Sequence, residues 1–222
     1  MTDQTADRDL DVQLRVRDAL EWCPEVAVAG IGVSVIDGAV TLSGEVHTYG
    51  EAVAATEAAL QVRGVCTLVD DLTVAAKESS WPVSEAEIAH EVEHALRSTS
   101  IVPETVKAAV RKHHVTLTGE VGWEYERAAA RQAIQYLRGV RSISNEITLK
   151  PRAAAPDTEE RIAEALSRDA GIDPARIHVA VDGNRVTLTG TVVSWAERRR
   201  ASSAAWASPH VTDVDNRILV DA

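Results

Sequence analysis

The chain has 222 residues, 45% of them hydrophobic and 26% charged, and no apolar run approaches the roughly 20 residues of a membrane-spanning helix. With 34 acidic against 23 basic side chains the net charge is −11, which excludes a global basic face of the kind that binding DNA or RNA by phosphate neutralisation requires. Two cysteines, Cys23 and Cys66, are too few and too irregular for a disulfide-held secreted domain and read as free thiols.

In chain order, Met1 to Asp9 lack the basic start and apolar core of a secretory signal, which makes the cytoplasm the expected compartment. Val12, Val16, Ala19 and Leu20 then recur at helical spacing and predict a first amphipathic helix. Ile31, Val33 and Val35 alternate, Asp37-Gly38 supplies residues that tolerate positive φ, and Val40-Thr41-Leu42-Ser43-Gly44 alternates again, which together predict a β-hairpin. An alanine-rich helix with Ala55, Ala58 and Ala59 follows, and Leu68, Leu72 and Val74 predict a third strand. Ala75 to Val83 reads as a linker.

The same order then recurs twice. Ser84 and Glu87 stand in capping-box spacing ahead of Ile88, Val92, Ala95 and Leu96. Val106, Ala108 and Val110 lead to Val115-Thr116-Leu117-Thr118-Gly119 through Lys112-His113, which lack the usual turn chemistry. The next helix carries Ala130, Ala133 and Ile134, and the closing strand Ile143, Ile147 and Leu149. After a linker from Lys150 to Pro156, Asp157 and Glu160 precede Ile162, Ala165 and Leu166, a stripe one turn shorter. Ile177, Val179 and Val181, the turn Asp182-Gly183, Val186-Thr187-Leu188-Thr189-Gly190, the helix with Ala201, Ala204 and Ala205, and Val214, Ile218 and Val220 complete the third copy. Glu51, Glu126 and Glu197 each stand 7 residues after the glycine, and Asp70, Asn145 and Asn216 stand 26 after it.

This triplication predicts an α+β fold of three tandem units, residues 8–76, 84–150 and 157–221. Each is a two-layer unit of helix, strand, strand, helix, strand, with a small mixed three-stranded sheet and a right-handed last crossover. Thr41, Ser43, Thr116, Thr118, Thr187 and Thr189 make one sheet face polar, so both helices should cover the other. Units this small bury only about 60% of their unfolded surface, so contacts between copies are expected. Charge is uneven: residues 1–82 carry a net −9, residues 83–156 +1 and residues 157–222 −3.

His90-Glu91-Val92-Glu93-His94 satisfies H-E-x-x-H, the spacing that binds zinc on a metalloprotease helix. Val92 lies on the core stripe, however, so His90 and His94 face solvent, and the other copies place Leu14, Asp18, Glu160 and Glu164 there. No third ligand is marked, and neither a metal site nor a cofactor nor a catalytic set is predicted. His113-His114 reads as an exposed polar pair at a turn. Glu51, Glu126 and Glu197 sit where a second-helix N-terminus offers free amides and a positive dipole end. The candidate contact residues are Trp123, Tyr125, Arg127 and Arg131 in copy two and Trp195, Arg198, Arg199 and Arg200 in copy three. Aromatic rings beside basic side chains suit anionic lipid headgroups. The competing reading has the rings closing the core edge and the arginines solvated.

Val-x-Leu-x-Gly-x-Val, the pairs Gly64-Val65 and Gly139-Val140, and the closing pattern around Asp70, Asn145 and Asn216 resemble the BON domain, a bacterial module named for osmotically inducible and nodulation proteins. Pro209-His210 departs from it in copy three. The resemblance implies a non-catalytic, transport-associated module tied to phospholipid membranes, envelope maintenance and osmotic stress. Without an export signal, the expected contact is with the inner face of the cytoplasmic membrane. The alternative is a soluble adaptor or chaperone that engages a protein partner through the open sheet face, with tandem copies adding avidity.

Overall fold

A computed structural model describes residues 2–75 and 83–221, and the expected element order runs through them three times. The first linker lies almost wholly outside the described residues. Unit one comprises α1 (Thr2–Glu21), β1 (Ile31–Ile36), β2 (Ala39–Val46), α2 (Tyr49–Leu60) and β3 (Thr67–Val74). Unit two comprises α3 (Glu85–Ser98), β4 (Lys107–Arg111), β5 (His114–Thr118), β6 (Glu120–Val121), α4 (Glu124–Ile134), β7 (Ser142–Asn145) and β8 (Thr148–Leu149). Unit three comprises α5 (Thr158–Arg168), β9 (Ile177–Asp182), β10 (Arg185–Val192), α6 (Trp195–Trp206), β11 (Asp213–Asn216) and β12 (Leu219–Val220).

Local sequence explains the helix starts. Ser84 Oγ accepts the Glu87 N–H at 3.2 Å while the Glu87 carboxylate accepts the Ser84 N–H at 2.7 Å, closing the expected capping box. Helix α5, with 11 residues against 14 in α3, is the shorter one, and Asp157 makes no cap bond there. The buried Thr158 instead donates its hydroxyl to the Ala155 carbonyl.

Each hairpin is antiparallel, and the third strand returns parallel to the second, from Ala39 opposite Thr67 to Val46 opposite Val74 in unit one. Units two and three keep this path but interrupt the outer strand, and unit two interrupts the middle strand as well, so β5 and β6 pair with β7 and β8, and β10 pairs with both β11 and β12. The recurrent glycine has a steric cause. Gly44, Gly119 and Gly190 adopt φ of 122°, 132° and 126°, and a Cβ there would run into the carbonyl oxygen of Gly30, Thr105 or Arg176.

Three separate cores form, one per unit. Val40, Leu42, Val115, Leu117, Val186 and Leu188 are fully buried, whereas the intervening Thr and Ser residues are half-buried or exposed, so the helices do cover one face only. Ala108 departs from its expected core position: it is exposed, while Val33 of unit one is buried at the same register.

The hairpin turns differ. Asp37 and Gly38 take φ of 50° and 73°, and the Asp9 carboxylate accepts both of their N–H groups. In unit three the pairing of Asp182 with Arg185 makes Gly183 and Asn184 the turn residues, not Asp182-Gly183, and only Gly183 has positive φ. In unit two Lys112 and His113 themselves adopt φ of 51° and 63°, at a cost of about 1–2 kcal/mol each for a residue with a Cβ.

The second helices α2, α4 and α6 meet head to tail. The α2 start lies on the α4 end, where the Gly50 N–H donates to the Gln135 carbonyl at 2.7 Å and Gly50 abuts the Tyr136 ring. The α4 start meets the α6 end, where Arg127 lies over the Trp206 ring at 4.9 Å. The α6 start meets the α2 end through the 3.3 Å ion pair of Arg199 with Glu57. The three units therefore close a ring of pseudo-threefold character.

Candidate functional site

The start of each second helix is built around the recurrent glutamate. Glu51 is buried and accepts the Ala27 N–H on Oε1 and the His47 N–H on Oε2, both at 2.7 Å. Glu197 does the same for Asp173 at 3.0 Å and Val193 at 2.9 Å. Glu126 differs: its Oε2 alone takes the Gly122 and Trp123 N–H groups. Each carboxylate thus satisfies amides ahead of its helix and complements the positive dipole end. Thr48 and Ser194 are the N-caps, accepting from Glu51 and Glu197 N–H. Trp123 holds that position in α4 and has no acceptor oxygen, which forgoes about 1 kcal/mol of capping.

What Trp123 does instead is stack. The Arg152 guanidinium lies 3.8 Å over its ring, and Tyr125 stacks beside it with centroids 6.2 Å apart. Arg152 also donates Nη1–H to the Pro209 carbonyl at 2.8 Å and Nη2–H to the Gly122 carbonyl at 2.6 Å. His210 Nδ1 bonds the Ala153 carbonyl at 2.8 Å, with the ring as donor because a carbonyl only accepts. The second linker is thereby clamped to both units it joins. Trp206 packs against the cores of units two and three, and Tyr49 packs against the core of unit two.

The eight candidate contact residues are not brought into one patch. Trp123 and Tyr125 sit at the joint of units two and three, and Tyr125 is 57% exposed. Arg127 is committed to Glu124 at 2.6 Å and to Trp206. Arg131 faces a crevice of about 210 Å³ between units one and two, together with Cys23, Gln135 and Tyr136. Trp195, Arg198 and Arg199 line another of about 380 Å³ between units one and three, with Glu57, Leu60 and Asn216. Arg198 lies 4.9 Å over the Trp195 ring and donates to the Asn216 carbonyl at 2.7 Å. Its Nε and the indole Nε1 of Trp195 are buried without partners. Arg200 is exposed, 3.9 Å from Asp169.

The histidines of the H-E-x-x-H stretch and of the unit two turn differ in setting. His90, Glu91 and His94 lie exposed on the outer face of α3, opposite buried Ile88 and Val92. Among the described residues no cluster of three or more His, Cys, Asp or Glu stands close enough to hold a metal ion. His113 and His114 are half-buried, not exposed as expected. Nδ1 of His113 bonds the Gly139 carbonyl at 2.9 Å, and Nδ1 of His114 bonds Ser142 Oγ at 2.6 Å. Cys23 and Cys66 are free; burial and then a hydrogen bond to the Glu25 carboxylate push the Cys23 thiol up from its ordinary value.

The sequence marks the asparagines by their recurrence but assigns no role to them, to Arg152 or to Trp206. Asn145 and Asn216 each donate to a carbonyl of the second helix, of Arg127 and Arg198, and accept the N–H two residues on. Their fixed distance from the glycine was the available signal. For Arg152, in a linker, there was none.

Compared as sequences, none of the curated proteins matches the chain. Among solved structures, the C-terminal domain of CdsD, a structural protein of the Type III secretion system of Chlamydia trachomatis, aligns at 12% identity over 96% of this chain and 98% of its own, with a TM-score of 0.27. A second CdsD structure from Chlamydia trachomatis aligns at 11% identity over 95% and 92%, also at 0.27. Both scores are too low to bear on arrangement or activity. The BON domain pattern, by contrast, matches residues 8–76, 84–151 and 155–222, nearly the full length, so the chain belongs to the BON domain family as three tandem copies.

Proposed function

We propose that this chain is a non-catalytic BON-repeat protein that contacts membrane phospholipid in stress or envelope physiology. The contact is peripheral and at the inner face of the cytoplasmic membrane; among the described residues no helix is long and apolar enough to cross a membrane. The observation that carries this reading is the stacked, solvent-accessible Trp123–Tyr125 pair with Arg152 over it, kept at a helix start where an oxygen-bearing cap would be more stable. Of the candidate contact residues, Trp123, Tyr125, Arg131 and Arg200 are accessible for such a contact. Arg127 and Arg199 bridge neighbouring units through Trp206 and Glu57, and Trp195 and Arg198 are engaged with one another within unit three.

Co-sedimentation of the full chain with vesicles of phosphatidylcholine and phosphatidylglycerol tests the proposal. Binding should weaken with salt and on Trp123→Ala/Tyr125→Ala, and no binding at low salt refutes it. The second reading is a protein-binding module using the open sheet face, where in unit one Ile36 is 72% and Val69 49% exposed.

A further inference from the structure

The hairpin tip of unit two lacks the glycine that the other two carry. Unit one holds Asp37 and Gly38 in the left-handed region and unit three Gly183, whereas unit two holds Lys112 and His113 there, a strain that persists where the surrounding structure fixes it and that clusters at functional sites. The fold supplies a second observation. Arg141 donates its N–H to the His113 carbonyl at 2.9 Å, and the rings of His113 and His114 hold Gly139 and Ser142, so the loop after α4 is pinned against the tip. Arg111, Lys112, Arg138 and Arg141, distant in sequence, thereby gather at one end, all four exposed. Among the described residues none of the four side chains has an ion-pair or hydrogen-bond partner; the Glu85 carboxylate at this end accepts the Lys112 backbone N–H at 2.7 Å. The other tips set carboxylates beside their arginines. Unit one presents Asp37 with Asp9, and unit three pairs Arg185 with Asp213 at 2.8 Å.

We propose that this tip is the element that docks the protein on an anionic phospholipid surface, with the four cations on headgroup phosphates. The inference rests on the phospholipid reading above and adds a cationic contact surface to the aromatic pair. Charge complementarity selects the occupant: an exposed cationic end suits a flat anionic plane, which the first unit, at net −9, would repel. A nucleic acid would be opposed by the chain's net charge of −11.

Each cation near an anionic bilayer is worth roughly five-fold in partitioning, so replacing all four should lower it by about several hundred-fold. The full chain is compared with Arg111→Gln/Lys112→Gln/Arg138→Gln/Arg141→Gln on phosphatidylcholine vesicles with and without phosphatidylglycerol, and melting curves report folding. The expected result is salt-sensitive binding to the anionic vesicles that the fourfold variant loses. Lys112→Gly serves as a second variant: it should melt higher, because strain is relieved, and bind roughly five-fold more weakly. A folded fourfold variant, or Lys112→Gly, that binds as the parent does overturns the tip assignment and leaves the membrane reading standing. A parent that ignores anionic vesicles, or binds single-stranded DNA in their place, overturns both.

Discussion

Replacing the recurrent glutamate by glutamine should affect the three units unequally, although the sequence presents Glu51, Glu126 and Glu197 as equivalents. In Glu51 the two carboxylate oxygens accept one backbone N–H each, from Ala27 and His47, both at 2.7 Å. A glutamine has a single acceptor oxygen and turns its NH2 toward the other donor, so one partly buried N–H loses its partner. That costs about 1–3 kcal/mol, and about 2 kcal/mol corresponds to roughly 30-fold faster local hydrogen exchange. Glu197→Gln should behave alike, freeing the Asp173 or Val193 N–H. In Glu126 both N–H groups converge on Oε2, so one amide oxygen can retain both and only charge assistance is lost. Exchange at Gly122 and Trp123 should therefore rise no more than about three-fold. Hydrogen-exchange mass spectrometry on peptides covering residues 24–31 and 44–52, and their counterparts, reads this directly. Equal acceleration in all three variants, or the largest in Glu126→Gln, would show that the carboxylates act through charge and not through divided acceptors.

Gly190→Ala should cost about 3 kcal/mol, because positive φ is joined by collision with the Arg176 carbonyl, whereas Gly183→Ala, with open space around it, should cost about 1 kcal/mol; equal urea midpoints would refute the close approach. Trp206→Ala removes a half-buried ring from two cores and from beneath Arg127, so a loss of about 2 kcal/mol and faster proteolysis of the Ala153 to Pro156 linker are expected; unchanged cleavage would show that the ring does not hold units two and three together. The Ser84 N–H and hydroxyl bonds hold the Glu87 carboxyl below its ordinary value of 4.5. Its contribution to α3 is therefore complete above that value and is lost as pH falls through the lower folded one. Amide chemical shifts of Ser84 and Glu87 should follow that step, and Glu87→Gln should abolish it.

Most of one unit was legible in the chain because its signals are local. The alternation of Val40, Leu42 and their repeats specifies which sheet face is buried, and a one-residue slip would turn every side chain over. The capping box at Ser84 and the shortened α5 were equally readable. His113 and His114 were not, since their partners Gly139 and Ser142 lie across a helical crossover. Nor were the aromatics at the second-helix starts. Amphipathic rings beside arginines look the same in sequence whether they meet headgroups or a neighbouring unit. Tyr49 and the Arg127–Trp206 pair turn out to be joints, while Tyr125 remains outside.

The amino-acid sequence by itself determined the number of units, the order of their elements, the glycine that admits close strand approach, and membership of the BON family, since each follows from periodicity and backbone sterics within about seventy residues. Only the tertiary structure decided that the second helices close head to tail, that Arg152 clamps a linker, and that four cations converge at the tip of unit two. Those features depend on where separate units come to rest against one another, and contacts between rigid bodies leave no period in a chain.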